Sequence, residues 1–298
     1  MFNDLKCLKY LNLNSVTLNN VLPELFSELK QLETLRMSNT KLQPAQIDPD
    51  AFIHLENLKE LDFNGIEIPK SCSNIFAPLK SIQKLAMGST ATLNYDAFKK
   101  VKNLRELELS MILTIKIDKN FFDNHPHLES LDLSGLNLSD SFDRTNEKNR
   151  NYCIDLRALA NLNSLKSLNL SDNNLIFDPD CEIFSLENLE TLDLSLNDRK
   201  KFIKRELILN ATTFKWMKNL KSLNLYGNRI RLEGNCFKPL KKLTHLDLSN
   251  TIMESDKAYD IISSLKSLET FEFEDIRPGD FFKLHRLTEL TNLRELKL

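Results

Sequence analysis

Glycine and proline are scarce: six Gly and nine Pro among 298 residues exclude collagen-like, mucin-like and flexible-linker compositions, which depend on one or both. No apolar run is long enough to cross a membrane as a helix. Neither sign of charge dominates, since 40 Lys and Arg stand against 42 Asp and Glu for a formal net charge of -2. So balanced a chain gives no long-range electrostatic reason to expect nucleic acid or an anionic membrane as partner. The opening residues MFNDLKCLKY hold no basic segment followed by an apolar one, so no signal peptide is read there. Chemistry is thin as well. The five histidines are scattered, and no glycine-rich phosphate loop, GxSxG or HExxH occurs. Catalysis, a metal and a cofactor are therefore not expected.

What the chain has is leucine, close to a fifth of its length, and the leucines recur. LKYLNLNSVTL, LETLRMSNTKL, LKELDFNGIEI, LESLDLSGLNL, LKSLNLSDNNL, LETLDLSLNDR, LKSLNLYGNRI and LTHLDLSNTIM align in one frame, LxxLxLxxNxL. More worn copies begin at Ile82, Leu104, Leu268 and Leu293. The starts from Leu8 onward number twelve, at a mostly even spacing broken by longer intervals after Leu128 and Leu189. Six residues before most starts stands a phenylalanine: Phe2, Phe26, Phe52, Phe76, Phe98, Phe122, Phe214 and Phe237, with Leu159, Ile183, Ile262 and Leu287 in the other copies.

In this phrasing the chain resembles the leucine-rich repeat family along essentially its whole length. It is similar in particular to the "typical" subtype, with a period of about 24 residues, found in Toll-like receptor ectodomains and Slit-like proteins. The resemblance implies an α/β solenoid of about twelve repeats, a right-handed superhelix or horseshoe. A continuous parallel sheet lines its concave face, and the convex side is irregular or briefly helical. Residue spacing agrees: LxL sends two leucines to one side of a strand and the residue between them to the other. One short strand per repeat then stacks on the next in parallel. The phenylalanines fill the opposite wall and are expected to stack ring on ring. A single solenoid over residues 1–298 is expected, without the family's cysteine-rich caps, because the chain enters a repeat within eight residues of Met1 and stops mid-strand at Leu298. Two insertions interrupt it, at 139–156 and 198–213.

In the family, the asparagine of the frame turns inward and hydrogen-bonds backbone groups that the turn would otherwise orphan. Asn173, Asn197 and Asn228 keep it; Thr40, Thr90 and Thr251 have a hydroxyl; Val16, Ile66, Ile112, Leu136 and Ile276 have neither. The ladder should be most regular between residues 165 and 230, and the apolar positions must find water or a backbone partner.

The open sheet face is the expected binding surface. Its central column reads Asn12, Arg36, Asp62, Ala86, Glu108, Asp132, Asn169, Asp193, Asn224, Asp247, Glu272 and Lys297, six of twelve acidic. One reading is a negative groove that draws a basic protein ligand or co-receptor. The other is that Asp in LDLS is simply a solvated choice. Tyr226 and His245 join this face as candidate contacts. The adjacent column alternates in sign through Lys9, Glu33, Lys59, Gln83, Arg105, Glu129, Lys166, Glu190, Lys221, Thr244, Glu269 and Arg294. With strands about 4.8 Å apart it reads as a structural ion-pair ladder whose charges are already occupied.

Of the insertions, the first carries Phe142, Tyr152 and Cys153; the second is basic through Arg199, Lys200, Lys201, Lys204 and Arg205, then apolar. Such loops either carry contacts or are tolerated drift. Sequons stand at Asn137, Asn169 and Asn210, with Asn210 the most accessible and Asn169 a by-product of LNLS. Their number is no more than chance supplies, so they do not decide secretion. Cys7, Cys72, Cys153, Cys181 and Cys236 are odd in number, leaving at least one thiol free. Cys181 and Cys236 fall two coils apart, about 10 Å by the strand spacing, beyond disulfide reach. Mostly free, buried thiols are expected. His125 and His127 flank a proline but lack partners at metal-ligand spacing.

Two roles fit. The first is a non-enzymatic protein-binding segment of an extracellular or cell-surface receptor-like protein, with no direct membrane contact of its own. The second is an intracellular adaptor, such as a substrate-recognition arm of a ubiquitin ligase, which the unpaired cysteines and missing leader favour.

Overall fold

The structure, a computed structural model, describes residues 2, 4–42, 46–113, 115, 117–136, 156–173, 175, 186–197, 206–253, 257–274 and 284–298. Asn137, Phe142, Tyr152, Cys153, Cys181, Arg199, Lys200, Lys201, Lys204 and Arg205 lie outside the described residues, as do the first insertion up to its last residue and the first part of the second. The chain divides into two compact units: Met1–Ile115 with Phe121–Asp132, and Lys116–Asn120 with Leu133–Leu298.

In the first unit the LxL segments form β1 (Tyr10–Asn12), β2 (Thr34–Arg36), β3 (Glu60–Asp62), β4 (Lys84–Ala86), β5 (Glu106–Glu108) and β6 (Ser130–Asp132). Each pairs in parallel with the next, and the register aligns Leu11, Leu35, Leu61, Leu85, Leu107 and Leu131. The second unit contains β7 (Ser167–Asn169), β8 (Thr191–Asp193), β9 (Leu207–Leu209), β10 (Ser222–Asn224), β11 (Arg229–Leu232), β12 (His245–Asp247), β13 (Ile252–Met253), β14 (Thr270–Glu272) and β15 (Glu295–Lys297). There the frame strands β7, β8, β10, β12, β14 and β15 pair in that order, all parallel. Each unit is thus a stretch of parallel-strand solenoid. The leucines between strand neighbours are buried, Leu35 at 0% and Leu223 at 1% exposure. At the outer strand β15, Leu296 is 45% exposed because only one side of it is covered.

The strands are three residues long because the chain then turns sharply. In ten coils the third residue past the strand has a left-handed φ, from Ser15 at 62° to Asn250 at 53°. Glycine relieves that strain at Gly65, Gly135 and Gly227. Even there the room is limited: a Cβ on Gly227 would sit 2.7 Å from Leu196 Cδ2 of the preceding coil.

Backbone groups freed by these turns are satisfied in two ways. In the second unit Asn197 Nδ2 donates to the carbonyls of Leu170 (3.1 Å) and Leu194 (2.8 Å), while its Oδ1 accepts from the N–H of Asn173 and Leu175. Asn228 and Asn173 repeat the pattern, so each side chain stitches its own turn to that of the coil before. This is the stretch where the frame retains its asparagines. In the first unit the N–H of Val16 and of Ile66 folds back to the carbonyl three residues earlier, a backbone solution that needs no side chain. Thr40 adds its hydroxyl, which donates to Met37 O and Leu13 O. Leu136 borrows the next coil's asparagine, its N–H donating to Asn173 Oδ1 at 2.8 Å.

A second asparagine column, one residue before the frame's first leucine, was not read from the sequence although its spacing is visible there. Asn57, Asn103, Asn188, Asn219 and Asn292 each donate through Nδ2 to a backbone carbonyl of the preceding coil, those of Lys30, Lys80, Asn163, Glu187 and Lys266.

Opposite the sheets, structure is brief: α1 (Tyr95–Phe98), α2 (Lys257–Ile262) and short 3-10 turns. Phe26, Phe52, Phe76, Phe98, Phe122, Phe214 and Phe237 are buried in this wall. Ring-on-ring contact between successive coils holds for Phe52 and Phe76 (centroids 6.3 Å, planes 5° apart), and with more tilt for Phe26 with Phe52 and Phe214 with Phe237. At Phe98 the expected neighbour Phe122 is replaced by Phe121 and His125, which both stack on it.

The second insertion needs correction. Its apolar end is a strand: Leu207–Leu209 pairs with β11, which pairs with β13, in a three-stranded parallel sheet. Leu207, Leu209 and Ile230 are buried there while Ile208 is half-buried, so this all-apolar segment buries alternate side chains once it is a strand.

Candidate functional site

The outward side chains of the frame strands form a polar face on each unit. Asp62, Glu108 and Asp132 lie on the first; Asn169, Asp193, Asn224, Tyr226, His245, Asp247 and Glu272 lie on the second. All are half-buried except His245, which is exposed and whose Nδ1 hydrogen-bonds with the Thr244 hydroxyl at 2.8 Å.

The central column has a structural task that the bare pattern did not disclose. Asp62, Asp193 and Asp247 each accept, through Oδ1, the N–H of the residue two further on: Asn64, Ser195 and Ser249. Asn12, Asn169 and Asn224 do the same for Asn14, Ser171 and Tyr226. Asp and Asn are interchangeable in this bond because both present the same short-armed oxygen to the turn. On the second unit further partners take up charge: Asn224 Nδ2 donates to Asp193 Oδ2 (3.1 Å), and Lys297 pairs with Glu272 (3.1 Å).

The neighbouring column forms the anticipated ion-pair ladder. Glu33 lies between Lys9 (3.0 Å) and Lys59 (2.5 Å), Glu190 meets Lys221 (2.7 Å), Glu269 meets Arg294 (3.3 Å), and Arg105 pairs with Glu129. Hydrogen bonding from Lys59, then from Lys9, holds the Glu33 carboxyl below its ordinary value.

On the first unit the face opens into a hollow of about 200 Å³. Its lining includes Ala86, the one residue of the central column without a polar side chain, with Asp62 and Glu108 directly beside it in register. Asn64, which also lines the hollow, accepts the Gly88 N–H and donates through Nδ2 to Glu108 Oε1 at 3.0 Å. Ser110 Oγ donates to the same Glu108 oxygen at 3.2 Å. Gly88 cannot readily be enlarged, since a Cβ there would run into the Ser110 carbonyl oxygen. Arg36 and Lys84 close the rim, Arg36 resting over the Tyr10 ring (5.8 Å to its centroid) and Lys84 paired with Glu106 (2.7 Å). Glu106, foremost through its hydrogen bond, raises the Lys84 pKa. Carboxylates fixed on both sides of an open space favour a cationic group entering between them. Ala86 was readable as the exception in its column, but that it lies between Asp62 and Glu108 in a hollow follows from register.

His125 and His127 do not converge: His125 is wholly buried against Phe98 and His127 is exposed. Among the described residues no three His, Cys, Asp or Glu side chains group as metal ligands. Of the three thiols described, all free, Cys72 and Cys236 are buried and Cys7 is exposed, in line with mostly buried thiols. The sequon residue Asn210 is half-buried, its Oδ1 accepting from Thr212 N–H and hydroxyl. Among the described residues no helix is long and apolar enough to cross a membrane.

Family models match most of the chain: a BspA type leucine rich repeat region over residues 1–89, 19–150 and 72–181, and a leucine rich repeat over residues 207–252. Protein PAC2 of Saccharomyces cerevisiae is 31% identical over 229 residues, 76% of this chain and 35% of that protein. Toll-like receptor 4 of Boselaphus tragocamelus is 25% identical over 339 residues, 99% of this chain and 39% of that receptor. The solved Toll–Spatzle complex of Drosophila superposes with a TM-score of 0.67 at 21% identity, over all of this chain and 37% of that one. The chain thus spans little more than a third of the length of these relatives. Frame, fold and family models agree, and the chain belongs to the leucine-rich repeat family.

Proposed function

We propose that this chain is a non-enzymatic protein-binding segment of an extracellular or cell-surface receptor-like protein, and that it engages a basic protein ligand through the polar sheet faces. The observation that carries the reading is the hollow lined by Ala86, beside which Asp62 accepts from the Asn64 N–H and Glu108 accepts from Asn64 Nδ2 and Ser110 Oγ. A lysine or arginine side chain fits that chemistry, since the carboxylates are already oriented and little ordering is needed on binding. The similarity to Toll-like receptor 4 and the shared fold with Toll in complex with Spatzle support a receptor-like role.

The experiment is affinity capture from extracellular and cytosolic fractions with the wild-type chain and with Ala86→Arg, which places a cation in the hollow. Loss of an extracellular partner with Ala86→Arg, and weaker capture as salt rises, is the expected result. Capture unchanged by Ala86→Arg removes the reading.

A second role, an intracellular adaptor, is favoured by one observation, the unpaired thiols of Cys72 and Cys236 inside the fold. Expression in a eukaryotic cell separates the two. A mobility shift on treatment with peptide N-glycosidase supports the extracellular role; cytosolic protein without a shift supports the adaptor.

A further inference from the structure

The near-neutral total charge conceals a strongly basic edge on the second unit. From Lys215 to Lys242 the chain has eight cations, Lys215, Lys218, Lys221, Arg229, Arg231, Lys238, Lys241 and Lys242, against one acid, Glu233. Arg231 is paired with Glu206 and Glu233, and Lys221 with Glu190. Lys218, Lys238 and Lys241 are exposed and have no ion-pair partner among the described residues. Lys242 is held in place by Asn219, whose Oδ1 accepts from Nζ at 2.7 Å and whose Nδ2 is anchored on the preceding coil. Between these side chains lies an open depression of about 420 Å³, lined by Lys218, Lys238, Pro239, Lys241 and Lys242. Its surface is almost wholly apolar, made of the Pro239 ring and lysine methylenes, with the ammonium groups around the rim. In no other described pair of successive coils do both coils have lysine one and four residues after the phenylalanine.

We propose that this edge docks an acidic peptide segment of a partner protein, one apolar side chain resting on Pro239 while flanking carboxylates meet the lysines of the rim. A sulfated polysaccharide or a nucleic-acid backbone would match the charge but leave the apolar floor in contact with water. A stacking base finds no free aromatic face either, because Trp216 is half-buried and Lys215 Nζ lies over its ring at 4.7 Å. The rim is lysine throughout, giving point charges rather than the bidentate forks that phosphate and sulfate recognition favours. The site is independent of the sheet-face reading above.

Trp216 is the chain's one tryptophan and stands two residues from Lys218, so it reports on this edge alone. The full chain is titrated with an end-blocked pentapeptide, Glu-Asp-Leu-Asp-Glu, following tryptophan fluorescence and the anisotropy of labelled peptide. Saturable binding is expected, at least tenfold weaker when serine replaces the central leucine and at least tenfold weaker for Lys218→Glu with Lys241→Glu. Circular dichroism checks that this variant keeps its fold. Asp62→Asn, on the sheet face, is expected to leave peptide binding unchanged, which separates failure here from failure of the sheet-face reading. The proposal is overturned by no binding at millimolar peptide, by equal affinity for the serine peptide, by no effect of the charge reversals, or by heparin or an oligonucleotide binding this edge more tightly than the leucine peptide.

Discussion

His125 lies flat on Phe98, ring centroids 4.2 Å apart and planes 14° from parallel, and neither of its nitrogens has a hydrogen-bond partner. It occupies a position that most repeats give to leucine, and it behaves as a flat apolar plug. Burial pushes its pKa from 6.5 down to about 4, against a smaller upward pull from the backbone of Phe98 and Val101.

The consequence is acid sensitivity. Above about pH 6.5 the ring is neutral folded or unfolded, and nothing is lost; between 6.5 and 4 the unfolded chain binds the proton first, so stability falls with pH, by roughly 3 kcal/mol in all. His125→Leu should lose this component. Urea midpoints at pH 7.5 and pH 4.5 measure it, and equal acid losses in the variant and the parent would refute the assignment.

Asn197 serves five buried backbone groups at once, the carbonyls of Leu170, Leu194 and Ser195 and the N–H groups of Asn173 and Leu175. At ~1 to 3 kcal/mol for each buried group left unsatisfied, Asn197→Leu should cost roughly 3 kcal/mol or more. Thr40→Val should cost about 1 kcal/mol, because the turn at Thr40 retains its own backbone bond to Met37. Equilibrium unfolding of both variants is the check, and equal costs would mean the asparagine ladder adds nothing beyond a local turn.

The turn-closing role of the central column separates structure from charge. Asp247→Asn retains an oxygen for the Ser249 N–H and should change stability by under about 0.5 kcal/mol, whereas Asp247→Ala should cost about 1 kcal/mol. Thermal melts compare the two. A destabilised Asn variant would show that the negative charge itself stabilises the turn.

Thiol reactivity should divide by position. Cys7 is exposed, while burial pushes the Cys236 thiol up to about 12 and raises that of Cys72. Reaction follows the thiolate, so brief iodoacetamide treatment at pH 8 and peptide mapping should find Cys7 alkylated first among these three. Early labelling of Cys236 would contradict its placement.

The frame strands, their parallel order and the inward leucines were legible because a period-two alternation recurring once per coil permits one buried face. The ion-pair ladder through Glu33 was legible for the same reason, since equal spacing brings successive coils into register. Leu207–Leu209 was misread as part of a loop because a three-residue strand outside the frame has no period to betray it, and only β11 gives it a partner.

What sequence alone determined is therefore whatever repeats: the solenoid coil, the face on which each column lies, and the asparagine positions that close its turns. Tertiary structure decided whatever depends on one coil differing from its neighbour. Asp62 and Glu108 stand on either side of an apolar position in an open hollow only because Ala86 falls between them, and Lys218 meets Lys241 around Pro239 only because two successive coils bring lysines to the same edge. The physical reason is that the repeat sets position along each coil, whereas a site arises from side chains one or two repeats apart in the chain, whose separation in space only the stacking of coils can set.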